Sequence, residues 1–122
     1  MKFTKEHEWA KLEGDVATVG ITDYAQSHLG DIVSLDLPKA GAKVAQFKEM
    51  AMIDSMKASS PVYSPVSGEI VAVNGELTGS PQLVNQSPQE KGWLVKIKVS
   101  NPKEMDSLMD EAQYKKFCEE KP

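Results

Sequence analysis

The sequence predicts a mainly β fold, a sandwich or barrel of short strands that ends in helix. Three observations carry this. Short β-prone runs recur between turn residues through the body of the chain. One of them is unmistakable in period: Trp93, Val95, Ile97 and Val99 alternate with Leu94, Lys96 and Lys98. Beyond it the spacing changes, and Met105, Leu108 and Met109, then Tyr114, Phe117 and Cys118, recur as on one face of a helix. Many short strands with frequent turns are the pattern of sandwiches and barrels.

Taken in order, Phe3 to Leu12 reads as a strand, followed by a turn at Glu13-Gly14-Asp15. Val16 to Ile21 is β-prone. Thr22 is an N-cap, Asp23 favours the first helical turn, and Gly30 closes the helix after Leu29. Val33, Leu35 and Leu37 alternate with Ser34 and Asp36 as in a half-buried strand. Pro38 to Gly41 turns the chain, and Val44 to Phe47 is a further short strand. Glu49 to Ser55 and Val62 to Pro65 form two strands around Met56-Lys57-Ala58-Ser59, and Glu69 to Asn74 returns as another. Ser80-Pro81 has the form of a helix start. Trp93 is in phase with Val95, Ile97 and Val99 and is therefore expected in the core. Asn101-Pro102-Lys103-Glu104 reads as a capping box, and Asp110 with Gln113 as a second helix start.

A length of 122 residues suits one domain, read here as 1–122, with enough chain to bury a core. The balance of 14 basic against 18 acidic residues gives a net charge of −4. That argues against nucleic acid and anionic membranes, which reward basic patches, and for partners with basic docking surfaces. Cys118 is the single cysteine, so no disulfide framework forms within the chain. The first residues lack an apolar signal region and no stretch approaches a membrane span, so the chain reads as soluble.

Catalytic constellations are poor. His7 and His28 have no metal-ligand spacing, no glycine loop cradles phosphate, and no nucleophile elbow is present. The chain therefore reads as non-enzymatic, with no metal. The informative segment is Asp54-Ser55-Met56-Lys57-Ala58. A lysine at the apex of a tight hairpin offers its amine to another enzyme, and the small neighbours Ser55 and Ala58 leave approach open. A lone lysine is normally just a solvated surface group; here the surrounding pattern changes the odds.

That pattern runs through the whole chain. It comprises His7-Glu8-Trp9, Val16 to Gln26, Leu29-Gly30-Asp31, Asp54 to Ala58, Tyr63 to Glu69, Val73-Asn74, Leu83-Val84-Asn85 and Gly92-Trp93-Leu94 with Lys96-Ile97. In this order these motifs resemble the glycine cleavage H-protein family. The resemblance implies a flattened β barrel-sandwich hybrid of the lipoyl-domain type, with short peripheral helices and a helical C-terminus. It implies lipoate joined as an amide to Lys57, with Asp54, Ser55, Met56 and Ala58 as the lipoylation motif. It further implies a carrier that takes the aminomethyl group of glycine from glycine decarboxylase (the P protein) to an aminomethyltransferase (the T protein), and reducing equivalents to dihydrolipoyl dehydrogenase (the L protein). A lipoate ligase or lipoyl transferase would load it, in the bacterial cytoplasm or, for a mature eukaryotic chain, the mitochondrial matrix.

In the family Glu8, Ser60 and an acid after Ser60 lie near the cleft that shelters the loaded amine. This chain has Pro61 in place of that acid, and Asp54 where the family usually has Glu. Proline supplies neither charge nor a backbone donor. The alternatives are an H-like lipoyl carrier of another pathway such as sulfur oxidation, which Pro61 keeps open, and a biotinyl carrier, against which Ala58 stands. An enzyme, or an interaction domain with Lys57 unmodified, completes the set.

Overall fold

The computed structural model describes residues 1–120. Nine strands form two antiparallel sheets, neither closed into a barrel. The larger sheet joins β1 (Lys2–Phe3), β2 (Glu8–Glu13), β3 (Val16–Ile21), β9 (Val95–Val99), β8 (Gly68–Val73) and β5 (Lys43–Val44), in that order across the sheet. The smaller joins β4 (Ile32–Asp36), β6 (Glu49–Ser55) and β7 (Ser59–Tyr63). One core cluster draws Val19, Ile70, Val95 and Ile97 from the larger sheet and Ile32, Ala51, Ile53 and Val62 from the smaller. A second, smaller cluster packs Phe3, Trp9 and Tyr114. The flattened, mainly β architecture with peripheral helices is the one the sequence predicts.

Helix α1 (Asp23–Leu29) begins and ends where its caps predict. The Thr22 hydroxyl accepts the Ala25 N–H, and the Gly30 N–H donates to the Gln26 carbonyl. Two short helices, α2 (Glu76–Gly79) and α3 (Leu83–Gln86), follow β8. The C-terminal helix α4 (Glu111–Glu120) begins at the start that Asp110 and Gln113 marked in the sequence, and it opens on a reciprocal cap. The Gln113 N–H donates to Asp110 at 2.8 Å and the Asp110 N–H donates to Gln113 at 3.0 Å.

Several boundaries differ from the sequence reading, each for a local reason. Phe3 to Leu12 is two strands, because the Thr4 hydroxyl accepts the N–H groups of Glu6 and Glu8 and folds the chain back at His7, which sits at φ 67°. The strand expected at Val44 to Phe47 stops at Val44, and Phe47 adopts φ 63°. β7 starts at Ser59, ahead of the expected Val62, because the hairpin tip is tighter than read. A register shift between Ile32 and Ser34 turns Ile32 inward and leaves Val33 48% exposed, so the β4 alternation is broken. The turn at Ser80-Pro81 precedes α3, which starts only at Leu83, and α2 had no sequence counterpart.

The clearest strand is shorter than its period suggests. Pairing begins at Val95, and the phase slips just before it: Leu94 is fully buried while Trp93 is half-buried, with the Lys96 ammonium 5.3 Å from its ring. Trp93 is thus not the core tryptophan. Trp9 is, at 2% exposure, its Nε1–H donating to the Pro88 carbonyl at 3.0 Å. Gly20 makes room for it, since a side-chain carbon there would stand 2.8 Å from the indole nitrogen. At Asn101 no side-chain cap forms. Pro102–Ser107 is a 3₁₀ helix, and the Glu104 carboxylate instead accepts both the N–H and the hydroxyl of Ser67, at 2.7 and 2.9 Å.

Candidate functional site

The hairpin joining β6 to β7 brings the predicted motif together. Asp54 pairs with Ser59 across it, the Ser55 N–H donates to the Ala58 carbonyl at 2.9 Å, and Met56 and Lys57 form the tip. Two-residue hairpin loops ordinarily use positive φ angles to match strand twist. Neither Met56 nor Lys57 has one. The Ser55 hydroxyl braces the tip instead. It donates to the Ala58 carbonyl at 3.0 Å and accepts the N–H groups of Lys57 and Ala58 at 3.3 and 3.2 Å.

Asp54 is tied down from both sides. Ser34 on β4 donates to one carboxylate oxygen at 3.1 Å, and Ser59 on β7 donates to the other at 2.5 Å. Charge-assisted bonds of this kind fix both position and orientation. Three strands of the smaller sheet therefore hold one carboxylate a short step from the lysine. Beside it Met56 is 75% exposed, an apolar side chain standing in water at the apex.

Lys57 is exposed, and among the described residues its ammonium makes no hydrogen bond or ion pair. Its stem passes over Gly30 at the end of α1. A side-chain carbon at Gly30 would meet Lys57 Cε at 3.4 Å. A primary amine with nothing competing for it, at the end of a braced projection, fits an amide-linked prosthetic group.

Glu8 and Ser60 are not at this tip. Glu8 is 2% exposed in the corner between β1 and β2. The Thr4 hydroxyl donates to one of its oxygens at 2.5 Å and the Tyr63 N–H to the other at 3.1 Å. Burial pushes the Glu8 carboxyl up from 4.5 to about 7, against the pull of these two donors, with a smaller push from Glu6. Ser60 faces the opposite side of β7 from Tyr63, in phase with the buried Val62. Pro61 lies opposite Met52 on β7, an edge strand, where a missing N–H is tolerated. Thr4 and Tyr63, the two donors to Glu8, also line an open groove of about 450 Å³ together with Glu6, Phe47 and Leu108.

The sequence reading missed Ser34 and Ser59 as holders of Asp54, and Asp31, whose carbonyl accepts the Met56 N–H at 2.9 Å. Serines two strands apart carry no short-range signal. Only the β4–β6–β7 register brings them to one carboxylate.

Comparison with known proteins places the chain in a family. The family model described as glycine cleavage H-protein matches residues 1–121. A mitochondrial glycine cleavage system H protein of Flaveria pringlei is 54% identical over 120 residues, spanning 98% of this chain and 74% of its own. That of Xanthobacter autotrophicus is 52% identical over 119 residues, spanning 98% and 95%. Among solved structures, a glycine cleavage system H protein from Mycobacterium marinum superposes with a TM-score of 0.85 at 30% identity, covering 93% of this chain and 91% of that one. The chain belongs to the glycine cleavage H-protein family, a carrier component of the glycine cleavage system.

Proposed function

We propose that Lys57 bears lipoate in amide linkage and that this single 122-residue domain is a non-catalytic carrier. It takes the aminomethyl group of glycine from the P protein to the T protein, and reducing equivalents to the L protein. The observation that carries this reading is the exposed, unpaired Lys57 on a braced tip beside a fixed Asp54. When bound, lipoate supplies a disulfide that accepts the substrate fragment and is reduced in doing so. The protein supplies a tether that raises the arm's effective concentration at each docked partner. A lipoate ligase or lipoyl transferase reads the tip, with Asp54, Ser55, Met56 and Ala58 as the surface it meets. The setting is the bacterial cytoplasm or the mitochondrial matrix, the latter in keeping with the names of the plant relatives.

Glu8 and Ser60 are assigned to the cleft near the loaded arm. The support for Glu8 is the groove beside it, whose wall is made partly by the residues that bond its carboxyl. A cationic amine in that groove would favour the ionised form of Glu8. For Ser60 the support is its place on the strand leading from the tip to Tyr63. Pro61 favours a second reading, in which the arm serves other chemistry such as sulfur oxidation. Incubation with lipoate ligase, followed by intact mass and peptide mapping, tests the attachment. A mass shift matching lipoate on the Lys57 peptide is expected, and a biotin shift or an unmodified chain overturns it. Acceptance of the product by glycine decarboxylase then decides between the two pathways.

A further inference from the structure

Beyond the β4–β6 ladder, which ends at Ser55, the tip meets the rest of the molecule through the segment between α1 and β4. Two contacts do this. The Asp31 carbonyl accepts the Met56 N–H at 2.9 Å, and Gly30, at φ 78°, leaves open the space that the Lys57 stem crosses. Only glycine adopts that backbone conformation readily, and a side-chain carbon there would lie against the Lys57 stem.

The Gly30–Ile32 segment is itself gripped by one side chain from elsewhere. Asn85 on α3 donates from Nδ2 to the Gly30 carbonyl at 2.8 Å and to Gln26 Oε1 at 3.1 Å, and its Oδ1 accepts the Ile32 N–H at 3.0 Å. The orientation of the amide is forced, because a carbonyl needs the NH₂ end and an N–H needs the oxygen. Asn85 thus brackets Asp31 from both sides, and Asp31 holds the residue next to Lys57.

We propose that Asn85 is a positioning residue for Lys57, setting the pose of the tip that the lipoate-attaching enzyme must recognise. This rests on the reading of Lys57 as the attachment site. Without Asn85 the Gly30 carbonyl and the Ile32 N–H turn to other partners, the segment relaxes, and the Met56 N–H loses a fixed acceptor. The tip then spends only part of its time in the competent pose, and the apparent affinity of the enzyme falls by that fraction. The chemical step at the amine is unaltered.

The test compares wild type, Asn85→Ala and Asn85→Asp with Val84→Ala, a cavity variant of the same helix whose side chain is fully buried. Asn85→Asp keeps the acceptor for Ile32 but turns an oxygen toward the Gly30 carbonyl, so it gives the same readouts if Asn85→Ala does not fold. One readout is hydrogen exchange of the Met56 amide; the other is KM and kcat for lipoylation by a lipoate ligase with lipoate and ATP. In the Asn85 variants the Met56 amide should exchange roughly tenfold faster while that of Ile53 is unchanged, and KM should rise by a similar factor with kcat held. Val84→Ala should lose stability yet leave Met56 exchange and KM as in wild type. Unaltered Met56 exchange in the Asn85 variants, or an equal KM rise in Val84→Ala, overturns the proposal. Wild type that takes no lipoate refutes the attachment reading beneath it, whereas Met56 exchange judges the coupling independently.

Discussion

At the Lys57 hairpin an ammonium stands in water with no partner among the described residues. In the corner between β1 and β2 the Glu8 carboxyl is 2% exposed, and each of its oxygens takes a donor. The hairpin is held by bonds within itself and a few to its surroundings. The corner is held by packing of Phe3, Trp9 and Tyr114, with the Phe3 and Tyr114 rings stacked 4.6 Å apart. A group that the fold does not use is free to be modified. A group woven into packing is not, and changing it costs stability before it touches function.

The sharpest test of this contrast is Lys57→Arg. Arginine keeps the charge, but its guanidinium is protonated and delocalised and forms no stable amide with lipoate. Lipoylation and glycine cleavage should both vanish, while stability shifts by about 0.5 kcal/mol or less, as for an exposed site away from packing. Peptide mapping and a urea midpoint measure the two halves. Lipoate on another lysine such as Lys48, or activity retained, would break the comparison at its functional end.

The corner should show the reverse. Trp9→Ala removes a fully buried ring and leaves the Pro88 carbonyl without its donor, at a cost of about 3–5 kcal/mol. Purified, folded protein should still accept lipoate at Lys57. The half-buried Trp93 serves as the internal standard, and Trp93→Ala should cost roughly 1–2 kcal/mol. Equal midpoints for the two alanine variants would mean that the burial of the tryptophans has been misjudged.

How far the sequence spoke differs between these regions for the same reason. The Thr22, Gly30, Asp110 and Gln113 caps were legible because their bonds lie within a few residues, whereas the Asp54-Ser55-Met56-Lys57-Ala58 tip was legible through the motif pattern around it and not through its bonds to Ser34 and Asp31. The corner was not. The bonds by which Thr4 folds β1 back on β2 leave no Gly or Pro to mark the turn, and the Trp9 pocket depends on Gly20 across a strand pair. A period of two gave the faces of β9 from Val95 onward, yet it carries no sign of where pairing starts, so Trp93 was assigned to the core in place of Leu94.

Glu8 gives the corner a pH signature of its own. Its carboxyl titrates at about 7 in the folded protein and 4.5 when unfolded. Between these values the folded state binds more protons, so stability falls as pH rises. The contribution is full below pH 4.5, is lost as pH passes 7, and amounts to about 3 kcal/mol across the window. Glu8→Gln, which does not titrate, should flatten this slope in urea midpoints taken from pH 4.5 to 8. Parallel wild-type and mutant curves would show the charge to be better solvated than its burial implies. On the loaded protein the same variant should release the amine faster, and equal lifetimes would remove Glu8 from the cleft.

The smallest effect is expected at Ser55. Its hydroxyl braces the tip through the Ala58 carbonyl and the N–H groups of Lys57 and Ala58, yet all of these groups lie at the surface. In Ser55→Ala water replaces the lost partners, so the net loss should stay under about 1 kcal/mol. Local order should suffer more than stability, because the tip lacks the positive-φ geometry that would hold it unaided. The Lys57 and Ala58 amides should therefore exchange faster, with the Met56 amide, bonded to Asp31, less affected. Lipoylation should slow only modestly. A loss of lipoylation larger than that of Asn85→Ala would mean that the attaching enzyme contacts the Ser55 hydroxyl directly, and that the tip is recognised by its side chains more than by its pose.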